Sequence, residues 1–286
     1  MLKKLMNSIV AVFDFITKYF KTFVFLCIVA WIFFGTSEPK QTPNLARIYL
    51  KGMIIDSTPL RAQIEELKKY PSIKGVLLII DSPGGSVGAS VEMADLIQEL
   101  STKIPVVAHT ESVMASGSYY VGAYANKVFA NRGALVGSIG VIFSGFNVEE
   151  LFKKIGYKPN VVVAGEYKEI GAYYREWTPK ERAYLENLIK EEYQSFVADV
   201  AKARSLKTSD EESFAQGKVF NAPKAKALGL IDEVGSRNSA ISALKELSGV
   251  EQEIWLEKSP LQSYLDTMLE SSVNTILGAI FGMGLR

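Results

Sequence analysis

The chain has 286 residues, 48% of them hydrophobic and 22% charged, with a formal net charge of +1. That length suits one sizeable domain with appendages, and the balanced charge leaves no basic footprint for nucleic acid. One cysteine, Cys27, and one histidine, His109, exclude an intrachain disulfide, cysteine-rich metal sites and histidine clusters. There is no EF-hand or P-loop pattern.

Residues 1–36 read as an amphipathic segment followed by an anchor. The run 23–35, FVFLCIVAWIFFG, is uncharged and apolar, short against the roughly 20 residues a bilayer span needs. Tyr19, Phe20 and a snorkelling Lys21 extend it. The rival reading is a cleaved secretory signal, opposed by the long segment before the apolar core and the weak Gly35-Thr36-Ser37 cleavage pattern. Lys3, Lys4, Lys18 and Lys21 all precede the span, which places the N-terminus inside and the remainder outside. Residues 37–45 are a polar linker containing proline.

From 46 onwards, strand-like and helix-like runs alternate. Residues 46–54 predict a strand and 59–70 an amphipathic helix. The run 74–81, KGVLLIID, is a strand covered on both faces. A helix over 90–100, a strand over 105–110 and a helix over 116–125 follow. Short strands and turns occupy 128–143, then a helix near 147–155 and a strand over 160–164. The segment 177–205 predicts the longest helix, opened by a Thr178/Glu181 capping box with Pro179 at its first position. Ala222 to Leu228 predicts another helix, stopped by Gly229. The alternation implies βαβ units and a mostly parallel α/β core, here 46–258. The tail 259–286 is apolar and glycine-rich.

Three segments suggest chemistry. DSPGGS (81–86) sits at the carboxyl end of a buried strand, where open α/β sheets build ligand sites. Gly84 and Gly85 let the backbone approach a substrate, or simply make a tight turn. In ESVMASGSYY (111–120), Ser116 lies between small residues before a helix. It is either a nucleophile, with the Gly117 N–H joining Gly84 or Gly85 in an oxyanion hole, or an N-cap. Its base is then His109, seven residues earlier, or a lysine, since Ser–Lys pairs are an established arrangement. GEYKEIGAYYREWT (165–178) supplies Lys168, which is otherwise a solvated surface group. An ordinary lysine, with a pKa of about 10.4, needs burial to act as a base near neutrality.

In this order, DSPGGS, MASGSYY, GSIGV and GEYKEIGAYYREWT, together with QGKVFNAPKAKALGLIDEVG (216–235), resemble the signal peptide peptidase A family in its short, single-domain form. The resemblance runs from about Ala46 to Gly235. It implies a Clp protease/crotonase-like fold of stacked ββα units carried on an N-terminal transmembrane helix. It further implies a serine nucleophile at Ser116, a general base at Lys168, a supporting Ser138 that aims the lysine, and oxyanion donors among Gly84, Gly85 and Gly117. No cofactor is implied. Substrates would be cleaved signal peptides and other apolar peptides, met at a bacterial inner membrane by a domain on the periplasmic side. Because the long form of the family splits lysine and serine between tandem copies, a single-copy chain implies a homo-oligomeric ring with the dyad shared between protomers. Two positions depart from the family pattern, Met114 and the Ala172-Tyr173 pair, and both bear on pocket shape. The rival functions are a crotonase-like acyl-CoA enzyme and a non-catalytic membrane scaffold of the same fold.

Overall fold

The computed structural model describes residues 2–34 and 42–257, with side chains over 13–30 and 42–257. The tail 259–286 and most of the linker lie outside the described residues. The chain divides into two units, Met1–Thr42 and Pro43–Arg286.

The first unit is one helix, α1 (Leu2–Phe34), so the amphipathic segment and the apolar run form a single continuous element. Phe13, Phe20, Phe23, Phe25, Leu26 and Ile28 along it are all exposed. Among the described residues, no helix is long and apolar enough to cross a membrane.

The second unit runs β1 (Leu45–Ile54), α2 (Thr58–Leu67), β2 (Gly75–Gly85), α3 (Val87–Lys103), β3 (Val106–Ala115), α4 (Gly117–Ala123), β4 (Lys127–Ala130), β5 (Leu135–Gly137), α5 (Glu149–Ile155) and α6 (Pro179–Arg204). It closes with α7 (Glu211–Phe214), β6 (Val219–Asn221), α8 (Ala222–Ala227), β7 (Glu233–Val234) and α9 (Arg237–Ser248). The sheet order is β1-β2-β3-β4-β7, all parallel, with β5 branching from β3 and β6 antiparallel to β5.

Two apolar layers sandwich this sheet, as the unbroken run of β2 requires. Leu78 and Ile80 face the larger layer with α2, α3, α4 and α6. Leu77 and Ile79 face the other way, with Val107 and Phe129, onto Ala240, Ala243 and Leu244 of α9. Each fully buried leucine or isoleucine stabilises the fold by about 1.5–3 kcal/mol, which is why β2 and β3 tolerate so little polarity. At the exposed edge of β1, Gln63 imitates a strand: Oε1 accepts from Tyr49 N at 2.8 Å and Nε2 donates to Tyr49 O at 2.9 Å. Pairing the edge in this way removes a template for strand addition.

β3 does the work of positioning. Its first half pairs with β4 and its second half with β5, and its register against β2 slips between Ile80/Thr110 and Ser82/Met114. Beyond that bulge the end of β3 pairs with β5, so the strand outruns the expected 105–110. β2 likewise continues through Pro83, Gly84 and Gly85 to pair with Met53 and Ile54. The strand expected over 160–164 is a correction: Val161, Val162 and Val163 are exposed, belong to no strand and have no ladder partner among the described residues. Their β-branched side chains favour an extended backbone, and a ladder needs a neighbour that the described residues do not provide. α9, which packs on one face of the sheet over β2 and β3, had no place in the sequence expectation.

Candidate active site

The carboxyl ends of β2 and β3 meet at Ser116, the residue between β3 and α4. Its backbone has φ 54 and ψ −127, a left-handed conformation that costs a non-glycine residue on the order of 1–3 kcal/mol. A helix N-cap takes up an extended conformation and lends its side-chain oxygen to the first turn. Ser116 does neither, since its side chain makes no capping bond. The capping alternative therefore fails on geometry, and the hydroxyl is left uncommitted among the described residues.

What holds the strained turn is a set of buried hydrogen bonds. Ser116 N donates to Gly137 O at 2.7 Å, continuing the β3–β5 ladder one step past Ala115 and Gly137. Ser118, fully buried, ties both strand ends: its hydroxyl accepts from Ala115 N at 2.9 Å and donates to Ser82 O at 2.6 Å. Behind them α4 is buried along its whole length. The Tyr119 hydroxyl donates to Leu230 O at 2.8 Å, and the Tyr120 hydroxyl donates to the Asp199 carboxylate. Burial pushes both phenol pKa values well above the usual range, so both hydroxyls remain donors.

The glycines fit the turn by subtraction. A Cβ on Gly84, whose φ is +94, would stand 2.7 Å from Gly117 N and 2.8 Å from Ser116 Cβ. A Cβ on Gly117 would stand 2.0 Å from Ser90 Oγ. The backbone of residues 84–85 thus lies directly against the serine turn. Gly84 N already donates to Ser82 Oγ at 3.2 Å.

Beside Ser116 opens a cavity of about 40 Å³, walled by Val87, Val91, Tyr120, Val141 and Phe196, with Gly85, Gly117, Gly140 and the polar groups of Ser90, Glu192 and Ser195. Phe196 stacks on Tyr120 at 4.6 Å between ring centroids.

The structure brings Ser116, Ser138, Gly84, Gly85 and Gly117 to one place. Ser138 follows Gly137, the acceptor for the Ser116 amide, and has its own left-handed φ of 52. Its amide donates to Lys218 O at 2.7 Å. Lys168 is elsewhere: it sits on an exposed turn, its amide 3.2 Å from Gly165 O, and it does not line the cavity. His109 is no partner for Ser116 either. It lies in the middle of β3 between Ile79 and Phe129 and is fully buried. Burial holds its pKa below the usual imidazole range, the Gly235 backbone offsetting only part of that, and neither ring nitrogen finds a well-formed hydrogen bond.

Sequence reasoning missed Ser82 and Ser118, which hold the turn from behind, and Ser90, whose hydroxyl lies against Gly117 and donates to Ser86 O at 2.8 Å. Serines in small-residue motifs carry no periodic signal. Ser118 was visible only as the second serine of ASGSYY.

A mostly parallel α/β sheet with a strained serine against a Gly-Gly strand end defines a domain of the Clp protease class, and a Clp protease family model matches residues 46–133. A second model, peptidase family S49, matches residues 98–251. The chain belongs to that family, the signal peptide peptidase A family. A candidate protease of Methanocaldococcus jannaschii is 41% identical over 187 residues, covering 65% of this chain and 60% of that protein. A candidate protease of Synechocystis sp. is 38% identical over 222 residues, 76% of this chain and 78% of that one. The chloroplastic serine protease SPPA of Arabidopsis thaliana is 37% identical over 200 residues, 70% of this chain and 30% of that protein. The match thus spans less than two thirds of two of these three relatives, 60% of one and 30% of the other.

Proposed function

We propose that the chain is a membrane-anchored serine endopeptidase that degrades apolar peptides, signal peptide remnants above all, with Ser116 as nucleophile and Lys168 as general base. The observation that carries this reading is the strained, uncommitted Ser116 set against the Gly84–Gly85 strand end, at the mouth of a small apolar cavity. The neutral lysine amine takes the hydroxyl proton as the serine oxygen bonds to the peptide carbonyl carbon. The Gly85 and Gly117 N–H groups hold the resulting oxyanion, each such donor being worth about 100- to 1000-fold in rate. Gly84 takes a lesser part, its N–H being turned to Ser82 Oγ. The ammonium then protonates the leaving amine, and water releases the acyl group by the reverse path. Ser138 aims the lysine from its place beside the serine turn.

In this reading the lysine comes from a neighbouring protomer of a homo-oligomeric ring. The exposed position of the Lys168 turn, away from the cavity of its own chain, supports that arrangement. α1 serves as the anchor: its apolar side chains are exposed over two turns and more, and hydrocarbon is the medium in which that exposure is favourable. The lysines preceding its apolar run support a catalytic domain on the periplasmic side of a bacterial inner membrane.

The test is complementation. Ser116→Ala and Lys168→Ala chains are each expected to be inactive, and co-assembly of the two to recover a fraction of sites, read as fluorophosphonate labelling of the chain that keeps Ser116. No labelling in well-formed mixed assemblies rejects the shared dyad. Full activity of Lys168→Ala alone rejects the base.

A further inference from the structure

The turn that carries Lys168 hangs on one guanidinium. Arg175 sends Nη1 and Nη2 to Glu181 Oε2 and Oε1, at 2.9 and 2.7 Å, and Nε to Glu169 Oε2 at 3.3 Å. The second oxygen of Glu169 accepts from the Tyr174 hydroxyl. Glu181 is a firm anchor for this fork. Its side chain is only 4% exposed, its Oε2 accepts Thr178 N at 2.8 Å, and its own amide donates to Thr178 Oγ1 at 3.2 Å. These contacts are the capping box that opens α6. The Arg175 fork and the Thr178 amide together hold the Glu181 carboxyl down at about 2, so the anchor is charged throughout the neutral range.

Two other carboxylates beside this turn are already engaged. Glu166 pairs with Lys180 of α6 at 2.9 Å, and Glu149 of α5 pairs with Lys153 and accepts Glu176 N at 3.1 Å. Tyr167 stacks on Tyr184 of α6 at 5.0 Å, and Tyr173 meets Tyr174 edge-on at 5.3 Å. Lys168 has no ion-pair partner among the described residues. The carboxylate next to it in the chain, Glu169, has both oxygens engaged. A free carboxylate beside a lysine stabilises the charged ammonium, which is the wrong form for a base.

We propose that Arg175 is a positioning residue for Lys168: it fixes the lysine-bearing turn on the first turn of α6 and keeps the Glu169 carboxylate turned to the guanidinium and away from the amine. The proposal rests on the reading of Lys168 as the general base. Arg175 touches no reacting atom and acts only through Glu169 and Glu181. A bidentate fork at one end and a single Nε bond at the other need a guanidinium. An ammonium is a point charge that satisfies only one of the two carboxylates at this geometry.

The experiment uses the full chain and an apolar fluorogenic peptide. Arg175→Lys keeps a cation for the buried Glu181 and so preserves the fold. Its kcat is expected to fall about ten-fold or more, as misplacement of a catalytic group does, with KM unchanged. The acid limb of its pH profile should move up by about half a unit as Glu169 is released. Adding Glu169→Gln should return the limb to its parental position without restoring kcat. Tyr174→Phe frees one Glu169 oxygen with no risk to the fold and should move the limb the same way, by less. Parental kcat and a parental limb in Arg175→Lys overturn the proposal. A lowered kcat with an unmoved limb in both variants overturns it too, since that is what loss of structure alone would give. Should Lys168→Ala keep parental activity, the base assignment falls rather than the tether.

Discussion

The Ser116 amide and the Gly137 carbonyl are 2.7 Å apart, and this bond places the candidate nucleophile beside Ser138. It extends the parallel pairing of β3 and β5 by one residue. Because the ladder continues, the chain cannot relax Ser116 out of its left-handed conformation without breaking the pairing that brings the two serines together. The strain at Ser116 is therefore maintained by the sheet.

Strain of this kind makes an unusual prediction. Ser116→Gly should abolish fluorophosphonate labelling and at the same time raise the melting temperature. Glycine adopts a positive φ freely, and release of about 1 kcal/mol corresponds to about 2–4 °C in a domain of this size. Ser116→Ala should also abolish labelling but leave the melting temperature near its parental value, because alanine keeps the Cβ. A lower melting temperature for the glycine variant would show that the turn is not strained.

Gly84→Ala probes the other half of the site. Its Cβ would have to lie 2.7 Å from Gly117 N, at a φ of +94, so the new side chain can be accommodated only by moving the serine turn or its oxyanion donor. The expected result is a loss of kcat of about 100-fold or more with KM for peptide little changed. Equal kcat in the two chains would remove the Gly-Gly strand end from the chemistry.

Much of the frame was legible in the sequence because its signals are local. KGVLLIID is apolar on both faces and is buried on both faces; Thr178, Pro179 and Glu181 spell a helix start, and the capping box is there. What was not legible depends on partners distant in sequence. The β3 bulge arises from pairing with two different strands, and no pattern within 105–115 announces it. The Val161–Val163 run has the composition of a strand, and composition cannot say whether a neighbour exists. Among the site residues, Ser116, Gly84, Gly85, Gly117 and Ser138 converge because all sit at the same end of the sheet. Lys168 lies on a turn held by side-chain bonds between Arg175, Glu169 and Glu181, contacts with no period to betray them.

His109 offers a pH-dependent test that separates stability from catalysis. Its imidazole is held below the ordinary value of 6.5 by burial, so the unfolded chain takes up a proton before the folded one does. Its contribution to stability is complete above pH 6.5 and is lost as the pH falls below that value. His109→Leu removes the titration and two poorly satisfied ring nitrogens in one step. The variant should lose less melting temperature between pH 7.5 and 5.5 than the parent does, and should label at Ser116 at the parental rate. Loss of labelling in a folded His109→Leu chain would return the histidine to the list of bases.

The cavity beside Ser116 bears on which peptides are cut. Its volume of about 40 Å³ exceeds the roughly 10–15 Å³ that admits one water and falls well short of the roughly 150 Å³ that admits benzene. A side chain of one to three carbons fits; an aromatic ring does not, unless the Tyr120–Phe196 stack opens. Among apolar peptides that differ only at the residue preceding the cleaved bond, kcat/KM should therefore fall from alanine through leucine to phenylalanine. A methylene in such a pocket is worth about 10- to 200-fold in discrimination. Val91→Ala, which enlarges one wall without touching Ser116 or the glycines, should accordingly raise the leucine-to-alanine ratio about ten-fold while leaving the fluorophosphonate rate unchanged. A preference for phenylalanine in the parental chain, or a ratio that ignores Val91→Ala, would mean that this cavity is not where the substrate side chain sits.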